Sequence, residues 1–207
     1  MTFDQIIGDI RKKVYAPVYF LHGDEAFYID AIADALEKNV LNESEREFNQ
    51  TVLYGKDTDM LSLISTAKRY PMMSSYQVVI VKEAQDIRNL VSKAEGKDSR
   101  DPLIEYLHKP TPTTILVFCY KYKTLDKRTR LYKALQNGCV LFESKKLYDN
   151  QVPDWITRHV LSKGFRTNPK ATQLMAEYLG TDLSRIANEI DKLILNLKPG
   201  DEITATL

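Results

Sequence analysis

The stretch that decides the fold is residues 17–25, which read Pro-Val-Tyr-Phe-Leu-His-Gly-Asp-Glu. Its apolar first half predicts a buried strand, Gly23 predicts a turn, and the apolar spacing that follows predicts a helix. A strand, a glycine turn and a helix N-terminus form the framework on which nucleotide phosphates are commonly bound. A working phosphate loop also needs a second glycine and a Lys-Ser/Thr pair, which this turn lacks. Asp24 and Glu25 would repel a triphosphate, so the turn indicates a degenerate phosphate loop.

Short apolar runs alternate with helical patterns up to about residue 145. The predicted strands are residues 17–21, 50–54, 77–81, 114–120 and 139–142. Most of these runs are dense in Val, Ile, Leu, Tyr and Phe without polar alternation, which is typical of strands covered on both faces of a parallel sheet. The alternation predicts an α/β domain in which a five-stranded parallel sheet lies between layers of helices.

Apolar spacing and capping residues predict the helices between the strands. The first helix has an apolar face made of Ile29, Ile32, Ala33, Leu36 and Val40. Asp57-Thr58 is the predicted cap of a second helix, which carries Leu61, Ile64 and Ala67. Asp101-Pro102 opens a short helix, and a basic helix spans residues 126–136. The polar stretch 88–100 predicts a mobile loop.

After about Lys145 the pattern changes to helices alone. The predicted helices cover residues 153–161, the segment from Asn168-Pro169 to Gly180, and residues 182–197. We therefore predict an α/β domain at residues 1–145 and a small all-helical domain at residues 146–207. Residues 200–207 predict a turn and the start of another helix, which indicates a fragment of a longer protein.

The composition is that of an ordinary soluble protein, with 43% hydrophobic residues, 28% charged residues and a net charge of +1. A near-neutral balance gives no whole-chain argument for nucleic-acid binding. Cys119 and Cys139 lie in apolar runs and are predicted to be buried and reduced, as in a cytoplasmic protein. His22, His108 and His159 lack the spacing of a metal site. We therefore predict no metal, cofactor or catalytic residue.

The ends of the third and fourth strands also lack nucleotide chemistry. Lys82 stands where the first magnesium-holding carboxylate of an active phosphate-loop protein would be expected, and a cation there repels the metal. Glu83 alone is more consistent with a solvent-exposed residue at the end of a strand than with a catalytic base. Cys119-Tyr120 does not provide the small polar residue that would orient an attacking water. An ATPase with an atypical phosphate loop stays open as an alternative.

A candidate binding segment lies in the connection before the third strand, at Tyr70, Pro71, Met72 and Met73. Pro71 favours a break in the preceding helix. Two adjacent methionines cannot both face one core, and methionine suits an apolar pocket on a partner. From the residues alone, partner contact and covering the end of the sheet both remain open.

A second candidate is the basic group Lys127, Arg128 and Arg130. Clustered cations can contact DNA phosphates. An arginine of this group could also act on a neighbouring ATPase subunit. A solvated helix face is the third interpretation, and the residues alone do not decide among them.

Several of these motifs occur in an order that resembles a known family. They are residues 18–25, 71–75, 78–81, 125–128, 146–147 with 155–156, 180–185 and 188–193. In this order they resemble the delta subunits of the bacterial DNA polymerase III clamp loader, over essentially the whole chain. The resemblance implies an AAA+ fold with a small helical lid, followed by a collar domain that would begin where this chain ends. It also implies that ATP is not bound productively. The lid arginine of active AAA+ relatives is lost here, because Leu183 or Ser184 stands at its position.

The resemblance also implies a binding site. In the family, an apolar wedge after the second helix inserts into a pocket of the sliding clamp, and by position it corresponds to Tyr70, Pro71, Met72 and Met73. Relatives often have a leucine and a phenylalanine there, so two methionines would keep the apolar volume with less rigid surface. The implied partners are the sliding clamp (the beta subunit), the other clamp-loader subunits and, through the assembled complex, DNA. The implied function is non-catalytic binding and opening of the clamp during DNA replication.

Overall fold

The computed structural model describes residues 1–88, 90, 101–198 and 200–204. The predicted mobile loop at 88–100 lies outside the described residues except at positions 88 and 90. The chain divides into two compact units, Met1–Lys145 and Lys146–Leu207.

Within the described residues, the first unit is built on a five-stranded sheet in the order β2-β3-β4-β1-β5. The strands are β1 (Val18–Gly23), β2 (Gln50–Tyr54), β3 (Gln77–Lys82), β4 (Thr114–Lys121) and β5 (Val140–Ser144). Every neighbouring pair is parallel. The predicted α/β class and parallel sheet are therefore confirmed, and each strand lies within two residues of its predicted bounds.

The helices of the first unit are α1 (Phe3–Arg11), α2 (Ala26–Asn39), α3 (Glu43–Asn49), α4 (Met60–Ala67), α5 (Pro102–His108) and α6 (Arg130–Gly138). The predictions did not include α1 and α3. Both begin with a capping box, formed by Thr2 with Gln5 and by Asn42 with Glu45. Such a polar pair three residues apart is a sequence signal for a helix start.

The sheet has an apolar core on each face, because successive side chains of a strand point to opposite sides. The core shared with α4, α5 and α6 contains Val18, Phe20, Val79, Val81, Leu116 and Phe118. The core shared with α1 and α2 contains Tyr19, Leu21, Val78, Ile80, Ile115 and Val117. This double coverage explains why the strand sequences show no polar alternation.

Two predicted helix starts are wrong. The N-cap of α4 is Asp59, whose carboxylate accepts hydrogen bonds from the amides of Leu61 at 2.9 Å and Ser62 at 3.0 Å. The register of α4 leaves Leu61 70% exposed, so it is not a core residue. The basic helix begins only at Arg130, because the Thr129 hydroxyl caps it by accepting from the Tyr132 amide. The preceding residues 126–129 form a turn, since the Asp126 side chain bonds within it.

The described part of the second unit contains α7 (Val152–Ser162), α8 (Pro169–Leu179) and α9 (Leu183–Ile194), with Trp155, Ile156, Leu183, Ile186 and Ile190 among its buried residues. Asn168 and Asp182 cap α8 and α9. The helix predicted from residue 200 is wrong over the described residues. There β7 (Glu202–Ile203) pairs in parallel with β6 (Arg166–Thr167), and Ile203 is buried. Among the described residues, no helix combines the length and apolar character that crossing a bilayer requires.

Candidate partner-binding loop and phosphate-loop region

Residues 69–75, within the connection between α4 and β3, are here called the methionine loop. Its predicted binding residues point away from the protein core: Tyr70 is 81% exposed, Met72 62% and Met73 102%, and Pro71 is half-buried. Neither methionine side chain is buried. The structure thus brings the four candidate residues together on one surface loop.

The backbone of the methionine loop has an uncommon conformation at its most exposed residue. Met73 has a φ of 53°, in the left-handed region that non-glycine residues seldom adopt. Such a residue costs on the order of 1–3 kcal/mol and persists only where its surroundings hold it. Residues strained in this way cluster at active sites, ligand-binding loops and switch regions.

Asn49, the last residue of α3, holds this loop and was not singled out from the sequence. It is 4% exposed, accepts a hydrogen bond from the Met72 amide at 2.6 Å and donates one to the Met72 carbonyl oxygen at 2.9 Å. It also donates to the Glu45 carbonyl oxygen within α3 at 3.0 Å. The capping box before α3 could have revealed the helix, but no local signal links Asn49 to a residue 23 positions later.

Gln77, at the start of β3, holds the beginning of the methionine loop at Arg69. Its side-chain amide donates to the Arg69 carbonyl oxygen at 2.5 Å and to the Thr114 hydroxyl at 2.7 Å. The Thr114 hydroxyl in turn donates to the Ala67 carbonyl oxygen at the end of α4. The loop is therefore fastened to the body of the domain at Arg69 and again at Met72.

The turn after β1 is closed by its own chain. The Gly23 amide donates to the Lys123 carbonyl oxygen, and the Asp24 amide donates to the Ser144 carbonyl oxygen, both at 3.1 Å. Gly23 has a φ of 129°, and a β-carbon there would lie 2.0 Å from the Ser144 oxygen, so only glycine fits. These two amides, which could otherwise face an anion, are thus bonded within the protein.

Glu25 occupies the N-terminus of α2, where a bound phosphate would be expected. This residue is 8% exposed, and its carboxylate accepts a hydrogen bond from the Phe27 amide at 3.2 Å. A carboxylate at this end of a helix is stabilised by the helix dipole, as a phosphate would be. The residues of this turn therefore do not fit a nucleotide phosphate.

A half-buried lysine lies at the carboxyl ends of the strands. The Lys121 ammonium at the end of β4 is 2.8 Å from the Asp30 carboxylate of α2 and 3.5 Å from the Glu83 carboxylate that follows β3. Burial opposes its charge, but the hydrogen bond and negative charge of Asp30 outweigh burial and raise the pKa of Lys121. The Gln85 side chain joins the Lys121 amide to Glu83. Glu83 thus belongs to an ion-pair network, and sequence reasoning had identified Lys82 rather than Lys121 as the obstructing cation.

The predicted basic group is partly neutralised by neighbouring carboxylates. Lys127 pairs with Glu143 at 3.1 Å, and Arg128 pairs with Asp126 at 2.8 Å. The Arg128 hydrogen bonds lower the pKa of Asp126 to about 2. Arg130 is exposed at the first position of α6. The structure therefore places Lys127 and Arg128 in the turn and only Arg130 on the helix.

The remaining candidates are the two thiols and the histidines. Burial raises the pKa of both Cys119 and Cys139 to about 12, so neither is a thiolate at neutral pH. Cys119 is buried as predicted, whereas Cys139 is only half-buried. His22 is fully buried, and His159 has a pKa lowered mainly by burial. Within the described residues, no three His, Cys, Asp or Glu side chains are placed to hold a metal ion.

Comparison with known proteins identifies relatives of this chain. The family model for the delta subunit of DNA polymerase III matches residues 19–145. The DNA polymerase III subunit delta of Bacillus subtilis is 26% identical over 204 residues, which are 99% of this chain and 58% of that protein. The solved structure of the Bacillus subtilis DNA clamp loader delta protein matches 98% of this chain and 60% of its own, with a TM-score of 0.79 at 22% identity.

The chain therefore spans about three-fifths of the length of these relatives. The family model covers more than half of the chain, and the similarity to the solved structure extends the shared fold over both units. The resemblance seen in the sequence motifs is confirmed. The chain belongs to the DNA polymerase III delta subunit family.

Proposed function

We propose that this chain is the clamp-binding part of a clamp-loader delta subunit, and that it binds and helps to open the sliding clamp during DNA replication. The observation that carries the proposal is the exposure of Met72 and Met73 on a loop whose backbone is held by Asn49. Membership of the delta family supports the same assignment. Tyr70 and Pro71 flank the two methionines and complete the binding surface.

The energetics of such a contact are favourable. Burying an exposed methionine side chain in a partner's pocket contributes roughly 1.5–3 kcal/mol. A loop that is already fixed loses less conformational entropy on binding than a free one. If Met72 and Met73 bind an open clamp more tightly than a closed one, this difference in affinity shifts the clamp toward opening.

In this proposal the chain acts without nucleotide chemistry. In the turn after β1, the Gly23 and Asp24 amides donate to the carbonyls of Lys123 and Ser144, and Glu25 occupies the helix N-terminus. Lys121 places a positive charge among the carboxylates that would otherwise attract a metal. ATP hydrolysis and DNA polymerisation would then belong to other subunits, and the lid-like second unit would have no nucleotide to sense.

The proposed partners are the sliding clamp and the other clamp-loader subunits, with DNA contacted through the assembled complex in the cytoplasm. Direct DNA binding by Lys127, Arg128 and Arg130 is a weaker alternative, because two of the three cations already have carboxylate partners. A DNA-binding role predicts affinity that falls steeply with salt in the absence of any partner.

The proposal is tested by measuring the affinity of this chain for its cognate sliding clamp by surface plasmon resonance. The Met72→Ser, Met73→Ser double variant should bind roughly thirty- to a thousand-fold more weakly, because two apolar anchors are lost. Leu61→Ser is the matched control, since Leu61 is 70% exposed but lies on α4 outside the loop. Absence of clamp binding by the unaltered chain, or equal binding by the folded double variant, would refute the proposal.

A further inference from the structure

We infer that Asn49 is a positioning residue that holds the methionine loop in the conformation in which it binds the clamp. The inference rests on the proposed function of that loop. Asn49 lies on α3 and is buried, so it acts through the backbone of Met72.

The geometry is that of one side chain bonded to both backbone groups of one residue. The Asn49 oxygen accepts from the Met72 amide at 2.6 Å, and the Asn49 nitrogen donates to the Met72 carbonyl at 2.9 Å. An asparagine side chain has one acceptor and one donor group side by side, so it can satisfy both at once. Because Asn49 is only 4% exposed, water competes little for either bond.

The position of this pair in the loop makes it effective. Met72 lies between two restricted residues. The ring of Pro71 fixes the φ of Pro71, and Met73 has a strained φ of 53°. Fixing Met72 between them restricts the directions in which both methionine side chains leave the backbone. Without the pair, the loop would have to be ordered during binding, and the lost entropy would weaken the complex.

The helix that carries Asn49 offers a matched control. The N-terminus of α3 is capped separately by Asn42, whose side chain accepts from the Glu45 amide at 3.0 Å. Asn42→Ala therefore weakens α3 without removing either bond to Met72. Asn49→Ser removes the Met72 pair, while its shorter hydroxyl can still bond the Glu45 carbonyl four residues back in the helix.

The first experiment measures hydrogen exchange of the Met72 amide in the clamp-free protein. Asn49→Ser should accelerate exchange at Met72 at least about tenfold, because the amide loses a buried acceptor. Asn42→Ala should leave this rate within about twofold of the unaltered protein. Unchanged exchange at Met72 in folded Asn49→Ser would overturn the inference.

The second experiment measures clamp affinity as a double-mutant cycle. Asn49→Ser should weaken binding about five- to twentyfold, and in a Met72→Ser, Met73→Ser background, where neither apolar anchor is left to position, it should change affinity by less than about twofold. Asn42→Ala should bind as the unaltered protein does. A loss of equal size in both backgrounds would overturn the inference, because Asn49 would then act independently of the loop.

The outcomes separate this inference from the proposed function. If the unaltered chain does not bind the clamp, both fail. A second outcome is that the unaltered chain binds the clamp, Met73→Ser binds it more weakly, and Asn49→Ser binds it as tightly as the unaltered chain. In that case only the role of Asn49 is refuted. Should Asn49→Ser fail to fold, Asn49→Asp keeps the acceptor for the Met72 amide but loses the donor. Its clamp affinity should lie between those of the unaltered chain and Met73→Ser, and affinity equal to the unaltered chain would overturn the inference.

Discussion

His22 illustrates at the scale of one residue how burial alone can make stability depend on pH. It lies on β1, is completely buried, and neither ring nitrogen has a hydrogen-bond partner among the described residues. Burial lowers its pKa most; Glu143 acts to raise it and Lys127 to lower it further. Desolvation of the ring therefore outweighs the attraction between Glu143 and a positive charge on His22.

We predict that the protein loses stability as the pH falls below about 6.5, the pKa of an unfolded histidine. The pKa of His22 in the folded protein is below 6.5, so the unfolded state binds the proton at a higher pH than the folded state does. The stability that His22 contributes above pH 6.5 is therefore lost as the pH falls toward the pKa of the folded protein. The loss is at most about 1.4 kcal/mol per pH unit for His22. Urea unfolding at pH 7.5 and pH 5.5, followed by circular dichroism, measures it.

The variant His22→Leu should reduce this pH dependence, because it removes the buried ionisable ring. His159, whose pKa burial also lowers, accounts for a residual slope. The same slope in His22→Leu as in the unaltered protein would contradict the assignment.

At the scale of elements, Gln77 holds the connection between α4 and β3 together with Asn49. Gln77 donates to the Arg69 carbonyl and the Thr114 hydroxyl, and Thr114 reaches the end of α4. The last carbonyls of a helix lack partners within the helix, so a buried side chain that bonds them stabilises its end. This connection joins a helix packed on one face of the sheet to the strand that follows it.

We predict that Gln77→Ala destabilises the protein by about 1–3 kcal/mol, because the Arg69 carbonyl and the Thr114 hydroxyl lose a buried partner. Gln136→Ala, an exposed substitution on α6, should change the free energy of unfolding by less than about 0.5 kcal/mol. Urea titration of both variants measures the difference. Equal stability of the two would show that water or another group replaces the Gln77 amide.

At the scale of the whole molecule, the first unit has a strand, a glycine turn and a helix N-terminus in sequence, and the protein's own groups form bonds across that turn and the strand ends. The turn at Gly23 is closed by Lys123 and Ser144, and Glu25 fills the start of α2. Lys121 bridges Asp30 and Glu83 across the ends of the strands. The same unit carries the methionine loop, whose backbone is bonded to Asn49 and Gln77.

We predict that ATP with magnesium does not raise the melting temperature of this chain. A ligand that binds only the folded state stabilises it by RT ln(1 + [L]/Kd), so a site with a Kd of about 10 μM would add roughly 2.7 kcal/mol at 1 mM ATP. Differential scanning fluorimetry with and without ATP and magnesium makes the measurement. A saturable rise in melting temperature would favour the alternative of an atypical ATPase.

Local sequence determined the strands of the sheet and most helix starts. Strand sequences buried on both faces form apolar runs, and caps such as Asp101-Pro102, Asn168-Pro169 and Asp182 act over three or four residues. Helices α1 and α3 were missed although their capping boxes were present. The degenerate phosphate loop could also be predicted from the sequence, because the acidic residues and the position that lacks a lysine belong to the same short turn.

Only the tertiary structure decided which side chains hold the sites together. Asn49 forms hydrogen bonds with Met72, which is 23 residues later in the sequence, and Lys121 forms an ion pair with Asp30 of another element. These pairs depend on how helices and strands pack, and no local pattern encodes that distance. The sequence by itself determined the sheet, the family resemblance and the apolar character of Met72 and Met73. Packing determined that both methionines are exposed, because the backbone at Met72 is fixed by a contact between distant elements.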